Sequence, residues 1–159
     1  MIGGAPGSGN ASRDGLARAH PHGENGRMAR TFEHPRLGLL TRTGFVWEGA
    51  RPDPRGELRI VVESGWRRPD EEQAELLAGM LVDLDRLDDR ARAFASGDWD
   101  VERMQLVGVE VARASTAWTK ELGRAERPLV GTLQYTFPGD RNVLDVNFLD
   151  GEAVGHDYH

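Results

Sequence analysis

The chain has 159 residues, 20 basic and 26 acidic side chains, a net charge of −6 and no cysteine. The acidic balance argues against a nucleic-acid binder, which needs a basic patch or stripe, and against docking on an anionic membrane. Without cysteine there are no disulfides, thiol nucleophiles or zinc–thiolate sites.

Composition changes at Met28. Residues 1–27 hold seven Gly and two Pro but no Phe, Trp or Tyr, whereas all four Trp and all five Phe follow Met28. A segment with so little to bury cannot offset the entropy of ordering, about 1–2 kcal/mol per backbone residue. Residues 1–27 are therefore expected to be a disordered tail, or a stretch upstream of a start at Met28, with one domain over 28–159. That domain keeps 17 basic and 24 acidic side chains, a net charge of −7. No cationic start with a following apolar run is present, so a cytoplasmic protein without a membrane span is expected. Arginine supplies 19 of the 20 basic side chains, so its abundance alone says nothing about phosphate binding. The Gly3–Gly9 run lacks the Gly-Lys-Ser/Thr ending and the preceding strand of a phosphate loop.

From Leu37 to Glu63 the pattern predicts a three-stranded meander. Arg36–Leu40 forms the first strand, and Phe45–Glu48 the second, with Phe45 and Trp47 on one face. After the turn-rich Arg51–Gly56, Leu58, Ile60 and Val62 alternate with polar neighbours as a half-buried strand. One long helix is predicted over about 69–95. Pro69 suits its first turn, and Asp70, Glu71 and Glu72 complement its dipole. Leu77, Met80, Leu81, Leu84, Leu87, Ala91 and Phe94 form an apolar stripe at spacings of three and four. Asp83, Asp85, Asp88 and Asp89 spread around this helix and read as a solvated face rather than a metal site.

Three stretches beyond the helix read as strands. Val107, Val109 and Val111 alternate with Gly108, Glu110 and Ala112. Leu129, Gly131, Leu133, Tyr135 and Phe137 share a phase, as do Leu144, Val146 and Phe148. Residues 115–127 fit a short helix around Ala117–Leu122 or an exposed loop. Asp150-Gly151 signals a final hairpin. A three-residue loop of Leu149, Asp150 and Gly151 pairs Val146 with Val154 and Leu144 with His156, keeping apolar residues together. The whole predicts an α+β domain of order β-β-β-α-β-β-β-β, largely antiparallel, with the helix on one face.

Gly44–Gly49, Arg68–Gln73 and Leu144–Glu152 together resemble a group of small bacterial domains of unknown function. Some of that group are regarded, from gene neighbourhood, as immunity proteins against polymorphic toxins. The resemblance spans residues 37–159. It implies an interaction role and carries over no catalytic residue. Pro138–Asn142 departs from the acidic, Trp-containing turn common in the group.

Two functions follow. The first is a non-enzymatic, acidic interaction domain of immunity type that meets a basic protein, needs no cofactor and binds through Asp83, Asp89, Glu110 and Trp118. Trp118, Trp66 and Trp99 fall in loops or near element ends, where an exposed indole is informative. The alternative is a small metal-dependent or hydrolytic enzyme using His156 and Asp157, with His34 or Glu110. Residues three apart on a strand face opposite ways, so His156 and His159 cannot share an ion without a bend, and His156–His159 reads as a frayed terminus. Ser64, Ser115 and Thr116 lack the setting of a nucleophile elbow.

Overall fold

The computed structural model describes residues 30–159, so the expectations for residues 1–27 lie outside the described residues. Eight strands make one sheet whose spatial order follows the sequence. β1 (Thr31–His34), β2 (Gly38–Thr43), β3 (Val46–Asp53) and β4 (Gly56–Glu63) form one antiparallel meander. β5 (Gln105–Arg113), β6 (Leu129–Thr136), β7 (Val143–Leu149) and β8 (Glu152–Tyr158) form a second. The two meet at a parallel seam, with Ile60 opposite Val109. A parallel pair needs a crossover, and α1 (Glu71–Val82) and α2 (Leu84–Ala95) supply it across one face.

The α+β class, the mostly antiparallel sheet and the rough element order agree with the sequence reading, but the sheet has eight strands where seven were expected. The extra strand is β1, only four residues long, with Phe32 opposite Leu40. So short a segment shows too little alternation to register as a strand. The single long helix is instead two, divided at Asp83, which has φ −94° and ψ 18°. An unbroken helix over 71–95 would run about 38 Å, against roughly 27 Å for an eight-residue strand. The break keeps both halves over the sheet, with Leu77, Met80, Leu84, Leu87 and Ala91 buried. Phe94, expected in the same stripe, is 41 % exposed.

One core lies between helices and sheet. Trp47, Ile60, Val62, Val109, Leu133 and Val146 are all 2 % exposed or less. The Trp47 indole donates to the carbonyl of Arg67 at 2.8 Å. Phe45 does not share its face, because the turn at Gly44 (φ 64°) includes Phe45 and leaves it exposed. Asp70 caps α1, its carboxylate accepting from the Gln73 N–H at 2.9 Å while the Gln73 side chain accepts from the Asp70 N–H at 3.2 Å. Residues 115–127 contain a short helix, α3 (Thr116–Glu121), capped by the Ser115 hydroxyl.

The last hairpin corrects the expected register. Its loop is the two residues Asp150 (φ 52°) and Gly151 (φ 82°), with Phe148 opposite Ala153. A bulge then inserts Val154 between the partners of Phe148 and Asn147, so Val146 faces His156 and Leu144 faces Tyr158. One extra residue restores the phase that the tight turn would have lost. The terminus is not frayed: Val143 and His159 exchange backbone hydrogen bonds at 2.8 and 3.1 Å.

Candidate functional site

The two faces of the sheet differ in chemistry because apolar and polar residues alternate along its strands. Where Val109, Val111, Leu133 and Val146 point toward the helices, Glu110, Thr132, Gln134, Asp145 and Asn147 point to the opposite, open face. Register assembles them into two rows. Glu110 pairs with Thr132 and Thr132 with Asn147; Gln134 pairs with Asp145 and Asp145 with Asp157.

These side chains are mutually bonded. Thr132 donates to Asn147 Oδ1 at 2.9 Å, and Asn147 donates to Asp157 at 3.1 Å. Gln134 donates to Glu110 at 3.2 Å. His159 Nε2 lies 3.0 Å from Asp145 Oδ2. The other oxygen of Asp145, Oδ1, is buried and has no hydrogen-bond partner. α3 stands at one end of the rows, and its half-buried Trp118 walls a groove of about 600 Å³ that Glu110, Asp145, Asn147 and Asp157 also line.

Electrostatics single out Glu110. Burial raises its pKa above the ordinary carboxylate value, and the negative charges of Asp145 and Glu63 add to the effect, while Arg59 and His159 oppose it. His159 is raised in turn, chiefly by its hydrogen bond to Asp145 and then by that carboxylate's charge. A carboxylate whose ionisation is disfavoured, Glu110, beside an unsatisfied carboxylate oxygen is suited to receiving a cation.

The proposed binding residues divide between two sides of the molecule. Glu110 and Trp118 share the open-face groove. Asp83 lies across the molecule, at the junction of α1 and α2, paired with Arg86 at 2.6 Å. There it borders a separate cleft of about 650 Å³ floored by Leu76, Met80, Leu129 and Phe148. Asp89 is exposed on α2. His156 and Asp157 also separate. The His156 ring packs edge-on against Phe94 and Trp99 on the helix side, whereas Asp157 belongs to the open-face rows. Among the described residues one set of three ligand-bearing side chains has metal-compatible spacing, namely His34, Glu71 and Glu75. Its Glu75 is already paired with the guanidinium of Arg36.

Some polar residues were missed. Asp145 and Asn147 were legible as the outward phase of their strand, although nothing in the sequence marked them as more than solvated. Asp88 is buried, not solvated: it accepts from the Tyr135 hydroxyl at 2.7 Å, Arg92 Nε at 3.0 Å and Arg55 at 3.4 Å. Its position four residues after Leu84 and four before Arg92 was the available signal. No helix among the described residues is long and apolar enough to cross a membrane. Comparison with family models, with curated proteins and with solved structures finds no match to this chain.

Proposed function

We propose that this protein is a non-enzymatic interaction domain whose open sheet face receives a cationic element of a basic protein, with Glu110 and Asp145 as the seat. The observation that carries this reading is the buried, unpartnered Asp145 Oδ1, electrostatically coupled to a second carboxylate whose ionisation is already disfavoured. An arginine or lysine side chain placed there would satisfy the oxygen and relieve the repulsion. Trp118 would flank the incoming cation with an aromatic face. Neutralising a basic toxin in the cytoplasm, as an immunity-type protein, is the form of this role that the acidic charge favours. It requires no cofactor and involves neither nucleic acid nor membrane.

The test is calorimetry with an arginine-rich peptide of about ten residues, against wild type and a Glu110→Gln, Asp145→Asn double variant. The wild-type complex should weaken with salt, chiefly through slower association. The double variant should lose at least about tenfold in affinity while keeping its fold. Equal binding by both proteins would refute the seat.

A further inference from the structure

Where β4 ends and α1 begins, the surface has the opposite character. A cleft of about 450 Å³ is lined there by Arg67, Arg68, Arg113 and Arg127, against the carboxylates of Glu63 and Asp70. Two of the four guanidiniums are engaged. Arg113 lies 3.0 Å from Asp70 and 3.2 Å from Glu72, and Arg127 donates to the carbonyls of Ala114 and Arg113. Arg67 and Arg68 pair with no carboxylate among the described residues. Arg67 holds its loop through its carbonyl, which accepts from Trp47 and from the Ser64 hydroxyl, both at 2.8 Å. The fold makes no use of its charge.

Between two lining residues of this cleft, Gly65 and Arg67, stands Trp66, 69 % exposed. Its ring meets that of Phe45, itself 56 % exposed, edge-on at 4.8 Å. Arg42 lies 4.5 Å over the indole and also donates to the Gly44 carbonyl at 3.0 Å. The Gly65 N–H ties the two loops together through the Phe45 carbonyl at 3.0 Å. The aromatic pair is thus ordered before any partner arrives, which lowers the entropy lost on binding. Trp and Arg are also the residues most enriched at interface hot spots. The N-terminus of α1 plays no part, because Asp70 and Gln73 already cap it.

We propose that this end of the sheet binds an acidic polypeptide segment, its carboxylates pairing with Arg67 and Arg68 and one apolar side chain packing on Trp66 and Phe45. Overall charge selects this occupant over other anions. A nucleic acid carries a charge about every 1.7 Å of duplex, so it would extend past the cleft onto a domain of net charge −7. A flat anionic membrane meets the same repulsion. A short peptide confines its charge to a few Debye lengths, about 8 Å each at physiological salt. The site uses no residue of the open-face seat, so either can fail without the other.

A glutamate-rich peptide of about ten residues containing one leucine, titrated into the full chain, tests the inference through fluorescence. Of the four indoles, Trp66 is the strongly exposed one, so binding should shift emission to the blue. An Arg67→Ala, Arg68→Ala double variant should bind at least about tenfold more weakly and melt at the wild-type temperature. Trp66→Ala, followed by calorimetry because it removes the reporting indole, should weaken binding without altering its salt dependence. Unchanged affinity in the arginine variant overturns the site. Tighter binding of a single-stranded oligonucleotide of equal charge overturns the choice of occupant.

Discussion

Burial, with the charges of Asp145 and Glu63, raises the pKa of Glu110 above its ordinary value of 4.5. The folded protein therefore holds this proton more tightly than the unfolded chain, so the side chain favours folding when protonated and opposes it when ionised. Stability should fall as pH rises from 4.5 through the raised value. Glu110→Gln should flatten that loss and increase the melting temperature at neutral pH, while weakening binding of the arginine-rich peptide. Thermal melts of both proteins between about pH 4 and pH 7 check this. A less stable variant at neutral pH would mean that burial is not the dominant effect on Glu110. Asp88 is the contrasting carboxylate, since its three donors belong to the fold. Asp88→Ala strands the buried Tyr135 hydroxyl, while Arg55 keeps Asp53 and Asp85 and Arg92 keeps the carbonyls of Val101 and Met104, so it should cost about 1–3 kcal/mol in urea denaturation. Asp89→Ala, one residue along and exposed, should change stability by less than about 0.5 kcal/mol.

In the hairpin between β7 and β8, both loop residues take left-handed backbone, with φ 52° at Asp150 and 82° at Gly151. Gly151→Ala should therefore lower stability by about 1 kcal/mol, measured by chemical denaturation. An unaffected variant would mean that the loop opens to a longer form at no cost. The Asp-Gly signal marked a hairpin here, but a three-residue loop was expected in place of this two-residue turn, because the bulge at Val154 that keeps the phase leaves no trace in composition or period. The apolar phases of β4, β5, β6 and β7 were readable because each spans several alternations. β1 was not, being too short, and the helix break at Asp83 was not, since the apolar stripe continues through it. The cap itself was not read: Pro69 was expected in the first turn, but Asp70 and Gln73 form the cap of a helix that starts at Glu71, so Pro69 precedes it.

Across the whole molecule, the sequence distinguishes inward from outward residues but not one outside from the other. Asp83, Asp89, Glu110 and Trp118 are all partly or fully exposed, yet the first two lie on the helix side and the last two on the open face. Only the packing of α1 and α2 on a single face of the sheet decides this. For the same reason the aromatic pair Phe45–Trp66 stayed hidden, as it joins two turns that tertiary structure alone brings together.

The parallel seam also sets the order in which the sheet can assemble. Within each meander, every strand pairs with a sequence neighbour, so hairpin closure is local and fast. Joining β4 to β5 instead closes a loop of roughly 40 residues and must await docking of α1 and α2, so its entropy is lost late. We expect two sub-structures that form early and a rate-limiting encounter between them. Ile60→Val, at the seam, and Leu144→Ala, inside the second meander, should both slow folding, because that meander is already formed when the halves meet. Stopped-flow chevrons check both. A refolding rate insensitive to Ile60→Val would show that the halves dock after the barrier. Native-state hydrogen exchange would then reveal whether one meander opens while the other stays protected.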